Sequence, residues 1–237
     1  MSAPPVAPSG EALERELERR FVTVSARVSV GALGLEILKP RSAEDLISEA
    51  DFARDERLPY WADVWPSSEV LAARLLEERG AGRRLLELGC GLGIVATAAL
   101  HAGFDVLATD YYEDALAFTR LNAWRATGRE PRVRHVDWRA LPGDLGRFEI
   151  VVAADVLYER PYARLVAEAL HHALAPGGTA LIADPGRIAV GEFLGECAAL
   201  GMDYAGADRR AWVAGEIRQT ISLHRLESTT GRGARGA

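Results

Sequence analysis

Lysine is all but missing from this chain. Of 28 basic residues in 237, Lys39 is the only lysine, and with alanine and glycine so abundant this reads as base-composition bias rather than function. Cysteine is equally scarce. Cys90 and Cys197 are the only two, one in a glycine-rich turn and one in a predicted helix, with no C-x-x-C pair, so disulfide scaffolds and cysteine-held metals are excluded and a reducing cytoplasm is expected. The five histidines, His101, His135, His171, His172 and His224, fall on different predicted elements without ligand spacing; no metal is expected. Nowhere do about 18 apolar residues run unbroken, and no basic stretch followed by an apolar run opens the chain, so neither a membrane span nor an export signal is expected. Clustered basic residues are also lacking. The net charge of −6 argues against a general nucleic-acid binder, because phosphate contacts need grouped Lys and Arg, and leaves a local basic patch open.

What is present is enough for one sizeable core: 49% apolar residues over 237 most economically form one domain, expected over 59–227, with an N-terminal extension over 11–58. Residues 1–10 and 228–237, rich in Pro, Ala and Ser or in Gly-Arg repeats, are expected to be disordered tails. In the extension a short helix, Glu11 to Arg20, precedes an alternating stretch, Phe21 to Val30, which Gly31 to Gly34 turn into Leu35 to Leu38 as a hairpin. Ser42-Ala43-Glu44-Asp45 carries the capping residues of a further helical stretch that ends at Leu58-Pro59.

From Leu85 onward strands and helices alternate. Strands are predicted at Leu85 to Leu88, Asp105 to Thr109, Val133 to Val136, Glu149 to Ala153 and Thr179 to Ala183, and helices at Ala115 to Ala126, Tyr162 to Leu174 and Gly191 to Leu200. Another helix runs from the glycine-rich turn to His101, and Pro176-Gly177-Gly178 reads as a break. Strands separated by helix-length segments imply an α/β fold with parallel pairing and right-handed crossovers. Trp212-Val213 and Ile217 to Leu223, facing each other across Gly215, form an antiparallel close.

The chain is organised around Leu85 to Leu100, where an apolar strand with Glu87 near its end feeds Gly89-Cys90-Gly91-Leu92-Gly93 and then an Ala-rich helix. Glycines suit a turn on which a ligand lies against backbone and where φ is positive. A dinucleotide fingerprint needs its third glycine at position 94, which is Ile94. In open α/β sheets ligands sit beyond the carboxyl ends of the strands, so the other strand ends carry the chemistry. The second ends in Asp110-Tyr111, an acid able to accept both ribose hydroxyls; the third in Asp137-Trp138, a carboxylate for an adenine amino group and an indole for the purine face. The fourth ends in Ala154-Asp155-Val156-Leu157-Tyr158.

Acid-x-Gly-x-Gly-x-Gly, from Glu87 to Gly93, resembles motif I of the class I S-adenosylmethionine (SAM) methyltransferases, and the resemblance spans roughly Pro59 to Leu226. Asp155 and Tyr158, with Trp65 in the upstream Pro59-Tyr60-Trp61-Ala62-Asp63-Val64-Trp65-Pro66, resemble the seven-β-strand protein lysine methyltransferases called methyltransferase family 16. The stretch leading into Leu58 to Ala62 is similar to enzymes of that family acting on the β subunit of electron transfer flavoprotein, which often carry glycines at the positions of Ser67-Ser68. The resemblance implies a Rossmann-like, mostly parallel seven-stranded sheet with helices on both faces and an antiparallel C-terminal strand. It also implies SAM as cofactor, met by Trp65, Glu87, Gly89, Cys90, Gly91, Gly93, Asp110, Tyr111, Asp137, Trp138 and Ala154, with Asp155 and Tyr158 at the acceptor.

A carboxylate at position 155 suits an acceptor that arrives cationic, such as a protein lysine whose stem packs on Tyr158. The sulfonium charge and desolvation lower the acceptor's pKa while Asp155 raises it, and the balance stays open at this level. A small amine as acceptor and a non-catalytic SAM-binding regulator are the alternatives; a dehydrogenase is disfavoured by Ile94 and Asp137-Trp138. The sequence does not set the oligomeric state.

Overall fold

The computed structural model describes residues 10–46 and 59–229. Helix α1 (Gly10–Arg20) and a two-stranded antiparallel hairpin, β1 (Thr23–Val30) and β2 (Leu33–Pro40), come first. A short 3-10 turn at Glu44–Leu46 follows, with the Ser42 hydroxyl accepting the Glu44 N–H at 3.0 Å; the rest of the helical stretch expected up to Leu58 lies outside the described residues. Then come α2 (Pro66–Leu76), β3 (Arg84–Leu88), α3 (Ile94–His101), β4 (Asp105–Asp110), α4 (Glu113–Thr127), β5 (Arg132–His135) and β6 (Phe148–Ala154). The chain continues through α5 (Arg160–Ala173), β7 (Leu174–Asp184), α6 (Val190–Ala199), β8 (Met202–Ala214) and β9 (Ile217–Ser228). Gly10 and Ser228, assigned from sequence to the tails, are the first residue of α1 and the last of β9.

The seven-stranded sheet has the order β5-β4-β3-β6-β7-β9-β8, parallel through β7 and antiparallel in the last two strands. This is the Rossmann-like architecture expected. Strands buried on both faces alternate between two cores. Leu85, Ile150 and Val152 face α2, α3 and α4 together with α1 and the hairpin, whereas Leu86, Leu88, Val151 and Ala153 face α5 and α6. Among the described residues no helix is long and apolar enough to cross a membrane.

Two strands differ from expectation. The Pro176-Gly177-Gly178 break lies inside a single strand β7, taken up by a register shift between Phe148 and Ile150 and a left-handed Gly177 at φ 74°. Strand β8 begins at Met202, well before the expected Trp212-Val213, and is exposed along most of its length; a sheet edge with no buried face shows no alternation to read.

Besides its apolar packing, the hairpin is hydrogen-bonded to helix α4 by one buried side chain. Asn122 of α4 accepts the Leu38 N–H through Oδ1 at 2.8 Å and donates through Nδ2 to the carbonyls of Leu38 and Leu92, each at 3.0 Å. The extension is thereby hydrogen-bonded, through one amide, to the glycine turn itself.

Candidate active site

Strand order reverses between β3 and β6, and a cavity opens at their carboxyl ends, the switch point where an open α/β sheet takes its ligand. The glycine turn forms its floor. Gly89, Gly91 and Gly93 have φ of 71°, 53° and 80°, a region costly for residues with a Cβ. The Thr109 carbonyl accepts the N–H groups of Gly89 and Cys90, both at 2.9 Å, and Asp110 Oδ2 accepts that of Gly91 at 2.9 Å while its Oδ1 accepts that of Tyr112 at 3.0 Å. The tip of β4 thus holds the turn open. A Cβ on Gly91 would stand 3.2 Å from the Trp61 carbonyl, and one on Gly89 3.5 Å from the Trp138 ring. Gly93 faces the other way, packed against Thr119 of α4.

Two carboxyls share this floor. Glu87 is 2% exposed, and its Oε2 has no hydrogen-bond partner among the described residues. Burial pushes its carboxyl well above the ordinary range, and the neighbouring Asp110 pushes the same way. Asp110 is also raised by burial, against the pull of N–H donors from Tyr112, Gly91 and Tyr111. Burial raises the Cys90 thiol well above its usual value, which makes it a packing group rather than a nucleophile.

The other half of the cavity is aromatic. Ring contacts run from Trp65 to Tyr60 (6.1 Å), Tyr158 (5.2 Å), Tyr162 (4.8 Å) and Trp138 (5.9 Å). Trp65 is fixed by its indole N–H, which donates to the Tyr60 carbonyl at 2.8 Å. Where the two halves meet, Asp155 sits at φ 55°, a left-handed conformation that Asp tolerates but that still marks strain at a site. Its N–H donates to the Ala183 carbonyl at 2.9 Å, and its Oδ1 accepts Arg187 Nε at 2.8 Å. The residue flanking α5 is Glu159, which makes no side-chain cap, so Asp155 is not the cap of the following helix.

The cavity is concave and open at its mouth, the kind of site that takes a small ligand. Trp65, Glu87, Gly89, Cys90, Gly91, Asp110, Tyr111, Asp137, Trp138, Ala154, Asp155 and Tyr158, all expected from sequence, line it. Gly93 does not. Asp137 lies in the wall with its carboxylate engaged by Arg139, whose guanidinium and N–H donate at 2.7–3.0 Å. Sequence reasoning missed Tyr60, Tyr162 and Arg187.

Residues 67–189 match the family described as methyltransferase domain, more than half of the chain and all of the segment that carries the glycine turn and Asp155. The chain belongs to the methyltransferase domain family. Among curated relatives, the methyltransferase is 34% identical over 136 residues to the electron transfer flavoprotein beta subunit lysine methyltransferase of Xenopus laevis, covering 54% of this chain and 53% of that one. It is 33% identical over 142 residues to the ubiquinone biosynthesis O-methyltransferase of Azotobacter vinelandii, covering 56% and 61%. The chain therefore spans about half the length of the curated relatives it matches. Among solved structures, the N-methyltransferase NodS of Bradyrhizobium japonicum in complex with S-adenosyl-L-homocysteine superposes with a TM-score of 0.56 at 16% identity, covering 78% of this chain and 97% of that one. The magnesium protoporphyrin IX methyltransferase of Synechocystis, with bound SAM, gives 0.56 at 16% over 78% and 94%. Both likenesses are of fold. Among the described residues no group of His, Cys, Asp and Glu is placed to hold a metal ion.

Proposed function

We propose that this methyltransferase transfers a methyl group from SAM to the side-chain nitrogen of a lysine in another protein, as a member of methyltransferase family 16. The observation that carries the reading is the Asp155 carboxylate, held in a left-handed turn where the glycine floor meets the aromatic wall of one cavity. Similarity to the electron transfer flavoprotein lysine methyltransferases supports the acceptor class.

The residues fit the cofactor. Glu87, buried with an unpartnered oxygen, suits the ammonium of a methionine moiety; Asp110, half-satisfied by backbone donors, suits a pair of ribose hydroxyls; Trp138 over Gly89 suits a flat purine. The bare glycines let the Trp61 carbonyl and the Trp138 ring close against the turn. When bound, SAM supplies a methyl already activated by its sulfonium. The chain would then have to align a lysine nitrogen lone pair with that methyl, so that an N–C bond could form as the S–C bond broke, with a neutral thioether leaving and the surplus proton on nitrogen passing to solvent. In this account Tyr158 and Tyr60 pack the aliphatic stem, and Asp155 accepts an N–H so that the lone pair points at the methyl. Such positioning is worth roughly 7–11 kcal/mol.

The buried acids make cofactor binding depend on pH. Glu87 and Asp110 hold their protons more tightly than ordinary carboxyls, yet each must be ionised to accept the ligand. SAM affinity should therefore rise with pH through their raised values and level off above them, with proton release on binding. Calorimetry in two buffers of different ionisation enthalpy reads that release; Glu87→Gln should remove most of it, and a pH-independent affinity would contradict the assignment. The reading as a whole is tested by titrating SAM, S-adenosylhomocysteine and NAD. The two adenosyl ligands should bind and NAD should not, and Asp110→Ala should weaken SAM by about 1.5–3 kcal/mol, the worth of a charge-assisted acceptor. Tight NAD binding without a SAM signal would overturn the proposal.

A small-molecule acceptor is the second reading, favoured by the likeness to ubiquinone biosynthesis O-methyltransferases. On that reading the methyl group would be found on an oxygen of a small molecule.

A further inference from the structure

We propose that Arg187 is the positioning residue of the acceptor site: it occupies one oxygen of Asp155 and offsets its charge, so that an amine meeting the other oxygen is held neutral and ready to attack. The inference rests on the lysine reading above and adds to it a residue outside the expected set.

Arg187 is held from three sides. Asp184, fully buried at the end of β7, accepts the N–H groups of Gly186 and Arg187 through Oδ1 at 2.6 and 2.7 Å, which fixes the backbone of the turn. The side chain then reaches back, places Nε 2.8 Å from Asp155 Oδ1 and lays its guanidinium 5.8 Å from the centre of the Trp65 ring. Asp155 is nearly enclosed, its side chain 5% exposed, whereas that of Arg187 is 35% exposed. The guanidinium thus lies on the outer side of the carboxylate, beside the aromatic wall.

This placement addresses a problem of charge. Methyl transfer needs a nitrogen lone pair, which an ammonium lacks, and a lone carboxylate at position 155 would hold a lysine in its ammonium form. An arginine is charged at any working pH, and the hydrogen bond to Asp155 raises the pKa of Arg187 further, so the pair approaches neutrality while Asp155 keeps an acceptor oxygen for an N–H. Among the described residues, the other charged or titratable groups around Arg187 come from four elements. Asp184 faces it from β7, its carboxyl raised by burial; Tyr60 faces it from the turn before α2; Asp63 and Glu159 line the cavity that Asp155 also lines. His224 of β9 faces Asp184 and is pushed by burial toward the neutral imidazole. None of these supplies the positive charge that Arg187 brings to Asp155.

The test is the pH dependence of single-turnover transfer to a peptide carrying the lysine labelled by the wild-type enzyme, at saturating SAM, for Arg187→Gln and Arg187→Lys. Transfer should rise with pH through the apparent pKa of the bound amine. Arg187→Gln should move that limb upward by about one pH unit, since removing an adjacent like charge lets the ammonium persist to higher pH. Arg187→Lys keeps the charge and should follow the wild-type profile. A SAM-induced rise in melting temperature verifies that each variant is folded. Lysine labelling by the wild type with an unmoved limb in Arg187→Gln, or with equal shifts in both variants, overturns this inference alone. A wild-type product methylated on oxygen overturns the lysine reading and the inference with it.

Discussion

Asp155→Asn should cut methyl transfer about 100-fold, the cost of a reacting group displaced by a fraction of its working geometry, while SAM affinity stays within a few-fold. The substitution preserves size, and Asn tolerates the left-handed φ of 55° as well as Asp does. What changes is the face shown to the acceptor. Arg187 Nε donates to Oδ1, so the amide must keep its carbonyl oxygen there and turn its NH2 toward the incoming amine. A donor then stands where an acceptor is needed. Single-turnover transfer with a parallel SAM titration separates the two effects. A fall in SAM affinity matching the loss of transfer would make Asp155 a structural support of the cofactor cavity; unchanged transfer would remove it from the chemistry.

Gly93→Ala should be among the most damaging small substitutions for folding. Its φ of 80° is left-handed, at about 1–2 kcal/mol for a residue with a Cβ, and the new methyl would stand 2.7 Å from Thr119 Cα and 2.9 Å from its hydroxyl. Backbone cannot swing aside as a flexible side chain can, so forcing α3 and α4 apart adds about 1–3 kcal/mol. The total, roughly 2–5 kcal/mol, is a large share of a domain's stability. Gly128 provides the control, because it has φ 69° with nothing within 4 Å of the added atom. Gly128→Ala should cost only the conformational part. Chemical denaturation of both variants reads the difference, and equal losses would mean that contact with Thr119 contributes nothing. Because Gly93 does not line the cavity, its role is to bring α3 and α4 together beneath the turn.

The glycine-floored half of the cavity was legible in the sequence because its information is local. Glu87 to Gly93, Asp110 and Asp137-Trp138 each stand at the end of a strand whose apolar run announces it, and the parallel order of the sheet gathers those ends in one crevice. The aromatic half is assembled differently. Arg187 is 32 residues from Asp155 and follows a Pro-Gly turn that reads only as a loop; Tyr60 and Tyr162 become a wall only when α5 and the turn before α2 are brought side by side. Asn122 gives no local sign that it will join the hairpin to Leu92, since a polar residue inside a helix reads as surface until its partners are known. The part missed is the part built from tertiary contacts between elements whose separation no periodicity encodes.

Locating the methyl group tests the central claim most directly. The protein is incubated with methyl-labelled SAM in a lysate, with the Asp155→Asn variant in a parallel reaction, and the label is mapped by mass spectrometry. Self-labelling on lysine is confined to Lys39, whose ammonium is held 2.7 Å from Asp63, so the background is small. The account predicts label on the side-chain nitrogen of a lysine in another protein, largely lost with Asp155→Asn. Label on oxygen, label on small molecules alone, or lysine label undiminished in the Asp155→Asn reaction would contradict it.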